Sequence, residues 1–244
     1  MPDWTPFIDK ARHEDIPDDE VERWIATAKP CAVLDIGGDG PVVGVLGGAP
    51  ALPAGTPHPD FPFVASIDLA ALPADATDLT LPRDGHLLFF ADALDLCDGD
   101  SASAVVHVPA GAETAPVPRG DEEPAGRALR LVRSTSLPNV GTTSVEHPHG
   151  SELGGVWWNT GDAVEPASGE LRLGGYPWVW NADPRDLAAE YYGHDADPAA
   201  WVLLAQWNTD DVDLDLGVVH WSIHRDDLAV GRFDRVVGTG DMVG

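Results

Sequence analysis

Apolar residues recur along this chain at two different periods, and the first to appear is helical. In PDDEVERWIATAKP, Val21, Trp24, Ile25 and Ala28 fall at i, i+3, i+4 and i+7, which is one face of a helix. Asp19 and Glu22 make a variant capping box and Pro30 closes the element, so a helix is predicted over about 18–29. ADPRDLAAEYYG predicts a second, short helix, with Asp183 as cap, Pro184 at the first helical position and Gly193 as the stop.

Elsewhere the apolar positions come in short runs bounded by Pro and Gly. FPFVASIDL, GHLLFFAD, SAVVHVPAG and RALRLVRS read as strands, as do WVLLAQWNT, GVVHWSIHRDDL and RFDRVVG after the second helix. Strands so short and closely spaced predict antiparallel pairing rather than β-α-β crossovers. CAVLDIGGDGPVVGVLGG superficially resembles a dinucleotide fingerprint. Its last glycine spacing is one residue too long, however, and Pro41 leads into β-branched residues where a helix would be needed, so a hairpin turning at GGDG is expected. Two stretches, about 109–126 and about 134–155, read as long loops.

A Gly-Gly-x-Pro turn occurs twice, in LGGAPALP (46–53) and LGGYPWVW (173–180). Each is followed by a strand with Ala, a polar residue, an apolar one and then Asp or Asn (VASID, LAQWN). A strand opened by glycine comes next (GHLLFF, GVVHWS). The shared order predicts an internal duplication, with units at about 43–108 and 171–237 inside one domain spanning 1–244. The expected fold is α+β, mostly antiparallel β, with pseudo-symmetric sheet units, a few short helices and a groove between the units.

GGAPALP, FPFVASIDLAALP, LPRDGHLLFF, LGGYP, WVLLAQW and GVVHWSIHRDDLAVGRFDRV together resemble the YwqG-like bacterial proteins, a family of unassigned function. The resemblance spans roughly Val43 to Val237 and implies a single, mostly antiparallel β domain with internal duplication. A glutamine is usual in that family where Ser66 stands, while Gln206 is kept. Where the family usually has His before and Gln after the second Gly-Gly, this chain offers Leu171, Trp178, Val179 and Trp180. The resemblance therefore implies fold more than function.

Charge changes the picture of partners. The chain has 41 acidic against 14 basic residues, a net charge of −27, and its only lysines are Lys10 and Lys29. Phosphate backbones and anionic membranes are repelled, so neither nucleic acid nor membrane is an expected partner. Either a salt-adapted or GC-rich proteome or a basic partner would account for the acids, which are dispersed rather than massed. The only two cysteines, Cys31 and Cys97, form no CxxC pair, and the start of the chain has no apolar leader. A cytoplasmic protein is expected.

Candidate chemistry is sparse. His147 and His149 in EHPHGSE could hold a metal with Glu146, Glu152, His58 or His194, but a solvated polar loop is the expectation. The acids of LDLCDGD and NTDDVDLD lack the EF-hand order and read as solvated loops. No G-x-S-x-G or G-K-[ST] occurs, so no cofactor and no named reaction is expected. Seven of nine tryptophans follow residue 156, and Trp178 and Trp180 alternate onto one side of an extended segment, as a core layer or as a stacking platform. Alternation also puts Ser66 with Asp68, and Gln206 with Asn208, on one face of the sheet, with Ala65, Ile67, Ala205 and Trp207 facing the core. These six residues (Ser66, Asp68, Trp178, Trp180, Gln206 and Asn208) are the candidate surface of a non-catalytic binding or regulatory protein, immunity-like in type, with a protein or small-molecule partner. The alternative is an enzyme using His and carboxylates on a small molecule between the repeats.

Overall fold

The computed structural model describes residues 2–97, 102–119, 125–139, 141–142, 147–164, 169–193, 197–209 and 217–241. Within them, one antiparallel sheet of ten strands dominates. In chain order these are β1 (Lys29–Asp35), β2 (Val42–Leu46), β4 (Phe63–Asp68), β5 (His86–Ala91), β6 (Ser103–Val108), β8 (Arg127–Ser136), β9 (Leu171–Leu173), β10 (Trp201–Asn208), β11 (Val218–His224) and β12 (Val237–Asp241). Two further strands, β3 (Ala51–Pro53) and β7 (Thr114–Pro116), make a separate ribbon. The helices are α1 (Thr5–His13), α2 (Asp18–Ile25), α3 (Ala93–Cys97), α4 (Gly150–Val164), α5 (Pro184–Tyr192) and α6 (Arg225–Ala229). None is long and apolar enough to cross a membrane.

The spatial order is β12-β11-β10-β9-β1-β8-β2-β4-β5-β6. The hairpin expected at GGDG does not form, because β8 lies between β1 and β2, with Val132 opposite Val33 and Ala128 opposite Val45. Gly40 permits the crossing: it lies against Leu131, where any Cβ would strike the Leu131 carbonyl, as the connection passes over β8 instead of closing on β1.

The two flanks of the sheet share one register. Val45 stands opposite Ser66 in β4 as Arg172 stands opposite Gln206 in β10, and Ser66 faces Leu88 as Gln206 faces His220. A bulge interrupts the ladder between Phe63 and Ala65, and another between Leu203 and Ala205. Gly47 and Gly48 have φ of 70° and 80°, Gly174 and Gly175 φ of 70° and 74°, and Gly85 and Gly217 both 84°. This left-handed backbone is open to glycine at little cost. Even the helical turns that follow agree, since α3 and α6 leave β5 and β11 at matching points and bury Leu96 and Leu228.

The sheet curls until its edges meet, giving a nearly closed barrel: a Cβ on Gly238 in β12 would run into Ser103 in β6. Its interior is the main core, with Val64, Ala65, Ile67, Leu87 and Phe89 from one flank and Leu204, Ala205, Trp207, Val219 and Trp221 from the other. Outside, α1, α2 and α4 bury Phe7, Trp24, Leu153, Val156 and Trp157 together, while Leu52 of the β3 ribbon covers Leu88 and Phe90.

Several boundaries differ from expectation. α2 starts at Asp18 with Pro17 at its cap and no side-chain cap bond, and Lys29 and Pro30 belong to β1. The 109–126 loop contains β7. The expected loop at 134–155 is bounded by β8, which runs to Ser136, and by α4, which starts at Gly150. α4 carries four glycines, and glycine favours coil by about 1 kcal/mol per residue relative to alanine. Burial of Leu153, Val156, Trp157 and Val164 overrides that preference. The last two strand regions are also shorter than expected: β11 stops at His224 and RDDLA is α6, and in RFDRVVG the residues Phe233–Arg235 form a 3-10 turn ahead of β12.

Candidate functional site

The candidate site grows out of the second Gly-Gly turn. Gly175 donates its N–H to Asp78 Oδ1 (2.8 Å) and Tyr176 donates to Ser136 Oγ (2.8 Å), so the turn is clamped from two other parts of the chain. The chain then continues without a strand ladder. Side chains from the outer face of β9 to β12 take over the pairing of its backbone groups.

Those side chains form a row across four strands: Arg172, Gln206, His220 and Thr239 stand opposite one another in register. Arg172 Nη2 donates to the Tyr176 carbonyl (2.6 Å) and to Gln206 Oε1 (2.9 Å). Gln206 Oε1 also accepts the Trp178 N–H (2.7 Å). His220 Nε2 lies 2.8 Å from the Trp178 carbonyl, which can only accept, so Nε2 carries the proton. One step further, Asp241 accepts the N–H groups of Trp180 (2.6 Å) and Asn181 (3.2 Å). From the other side Asn139 Nδ2 donates to the Val179 carbonyl (3.1 Å). At the matching places in the other flank the row reads Val45, Ser66, Leu88, Val106, which is apolar except for Ser66.

His220 is fully buried, and this pushes its imidazole down to about 4, against the opposing pull of its bond to the Trp178 carbonyl. It is therefore neutral at pH 7 and serves as a fixed donor.

This pinned segment turns Trp178 and Trp180 outward. They do not lie in a strand, yet they alternate as expected, with Val179 buried between them. Both rings meet Trp158 of α4. Trp178 stacks on it (4.6 Å between centroids, 23° between planes), and Trp180 meets it edge-on (4.6 Å, 84°). Trp180 is 40% exposed, while Trp158 and Trp178 are half-buried. The result is an aromatic surface of three tryptophans, two of them on a backbone held by side-chain hydrogen bonds.

The remaining sequence candidates are dispersed. Gln206 and Asn208 share a face, and Asn208 Nδ2 donates to the Gly169 carbonyl (2.7 Å), so both hold backbone. Asp68 caps the 3-10 turn at Leu69–Ala71 by accepting the Ala70 N–H (3.0 Å). Ser66 and Gln206 are five strand steps apart in the sheet order, about 24 Å along the sheet at ~4.8 Å per step. The expected groove uniting Ser66, Asp68, Gln206 and Asn208 is not formed. Alternation along a strand reveals which face a residue occupies, but not how far apart the two strands stand.

His147 is an architectural residue. Its Nδ1 accepts the His149 N–H (3.2 Å) just before α4, its Nε2 lies 3.1 Å from Glu20 Oε2, and its ring meets Trp24 edge-on. His58 packs against Phe90 with Nδ1 on the Pro59 carbonyl. Among the described residues no three His, Cys, Asp or Glu side chains are grouped to hold a metal. Glu146, His194, Asp98, Asp100 and 210–215 lie outside them. His220, Arg172, Asp241 and Trp158 were not singled out from sequence. The one available signal was that His220 sits on the polar side of the alternation in VVHWSI.

Comparison with known protein families matches residues 45–241 to the domain of unknown function DUF1963. The chain belongs to this family. The DUF1963 match opens at β2 and closes at β12, taking in both Gly-Gly turns, the polar row, Trp158, Trp178 and Trp180. It leaves α1, α2 and β1 outside. A search of the curated proteins found no match.

Proposed function

We propose that this protein binds a partner and does not turn over a substrate, and that the Trp158–Trp178–Trp180 surface makes the contact. The observation that carries this is the pinning of residues 176–181 by Arg172, Gln206, His220 and Asp241, which presents the tryptophans without need of a strand ladder. Aromatic side chains held on a hydrogen-bonded backbone lose little entropy on binding. α4 contains no basic residue, and the chain carries −27, so the complementary surface is basic, in a cytoplasmic and regulatory or immunity-like setting. An enzyme acting between the two flanks draws no support from Ser66 and Gln206, which stand five strand steps apart.

Two further readings belong with it. The matching registers, bulges and positive-φ glycines support descent by duplication of a four-strand unit with a leading strand. In that scheme β1 leads β2-β4-β5-β6 and β8 leads β9-β10-β11-β12, each leading strand sitting beside the other unit's sheet. The same motifs support placement among YwqG-like proteins.

The test is capture from native extract on immobilised wild-type and Trp180→Ser protein, with and without chelator. A species retained by the wild type, eluted by salt and lost on Trp180→Ser at unchanged Tm is the expected result. Equal retention by both proteins would overturn the assignment of the surface.

A further inference from the structure

The end of α5 and the turn formed by α6 enclose a cleft of about 380 Å³, distinct from the tryptophan surface. Its wall is a run of three rings. Trp201, 3% exposed, lies between Tyr192 (centroids 5.2 Å apart) and His224 (5.6 Å). The Trp201 Nε1–H is buried and meets no acceptor among the described residues. Three carboxylates, of Asp197, Asp226 and Asp227, line the same cleft against a single cation, Arg235. The Asp226 side chain is 94% exposed and stands 3.9 Å from His224 Nδ1.

Arg235 shows how the cleft treats a cation. Its guanidinium lies 5.1 Å from the Tyr192 ring centroid, its Nε is 3.4 Å from Asp227, and its carbonyl accepts the Tyr192 hydroxyl (3.3 Å). An aromatic face beside a carboxylate suits organic cations, whose charge is diffuse and weakly hydrated. A metal ion is not matched, because it needs converging oxygens or imidazoles, and the described residues group no three such ligands.

We propose that this cleft is a binding site for a small organic cation, an alkylammonium or guanidinium group. The group lies against Tyr192 and His224, with Trp201 buried between them, and has Asp226 and Asp227 as counter-charges, and Arg235 is its intramolecular competitor. The cleft is within the usual size of small-ligand sites, and the field of a strongly acidic protein concentrates cations around it.

The experiment follows the tryptophan indole N–H signals of the full chain by NMR. One arm is titrated with tetramethylammonium chloride and another with methylguanidinium chloride, each against sodium chloride at equal ionic strength. Trp201→Phe identifies the Trp201 signal. A saturable shift of that signal in an organic arm, absent with sodium, is expected, and the responding arm tells an amine from an arginine-like ligand. Asp226→Asn and Tyr192→Leu should each weaken binding by roughly two- to thirty-fold, and Arg235→Ala should strengthen it over a similar range. The same response to sodium, no saturable shift in either organic arm, or unchanged affinity in both weakening variants would overturn the proposal.

Discussion

Phe89 and Trp221 meet edge to face inside the barrel, with centroids 5.1 Å apart, although β5 and β11 each stand one strand from opposite edges of the sheet. They occupy matching positions in the two flanks, and the Trp221 indole N–H reaches the Phe90 carbonyl at 3.4 Å. Both side chains are fully buried. Trp221→Ala or Phe89→Ala should cost about 3–5 kcal/mol, and a double-mutant cycle should give about 0.5–1.5 kcal/mol of coupling from the ring contact. Denaturant unfolding of the four proteins measures it. Strict additivity would mean that the closure of the barrel does not depend on this pair.

Gln206 and Ser66 occupy matching places but carry different loads. Gln206→Ala leaves the Trp178 N–H and an Arg172 donor without their acceptor in a buried place, and should destabilise by about 1–3 kcal/mol. Ser66→Ala, in the apolar row, should stay within about 0.5 kcal/mol of wild type. Equal losses in urea melts would contradict the asymmetry.

His220 predicts a pH dependence. Its folded value of about 4 lies below the ~6.5 of an unfolded histidine, so between these values the unfolded chain takes up a proton that the folded one refuses. Its contribution is complete above about pH 6.5 and falls with acidification by up to ~1.4 kcal/mol per pH unit. It is lost below about pH 4, for ~3 kcal/mol in all. His220→Leu, copying Leu88 of the other flank, should be less stable than wild type at pH 7 and lose less stability on going to pH 5. Parallel pH profiles of the two proteins would refute this.

Protein purified without added ions should hold no stoichiometric zinc, because His147 Nδ1 already accepts the His149 N–H and no third ligand is grouped with it among the described residues. His147→Ala should lower Tm by loosening α4 from α2. One zinc per chain, lost when both His147 and His149 are changed, would show that the pair is a metal site after all.

The strands and α5 were legible because their signals are local: alternation in VASID and LAQWN, Asp183-Pro184 at one helix end and Gly193 at the other. Sheet order was not, since nothing near GGDG announces that a strand from Arg127–Ser136 will part β1 from β2. α4 was hidden by its glycines, and with it Trp158, without which the outward turn of Trp178 and Trp180 has no partner. The polar row escaped because it depends on register across four strands. Arg172, Gln206 and His220 are neighbours only once β9, β10 and β11 are aligned.

The position of β1 has a consequence for synthesis. Both of its neighbours, β8 and β9, follow it in the chain, and Leu173 is made 138 residues after Asp35. At roughly 5–20 residues per second, that interval is about 7–28 s. Until β8 is complete at Ser136, 101 residues after Asp35, Cys31, Ala32, Val33 and Leu34, all buried in the finished protein, have no partner strand on either side, and the β9 side stays open for the rest of the interval. Folding cannot advance from the N-terminus as the ribosome delivers it. The nascent chain must carry a sticky, unpaired strand past its midpoint, which gives any chaperone at the exit tunnel a long window in which to engage it.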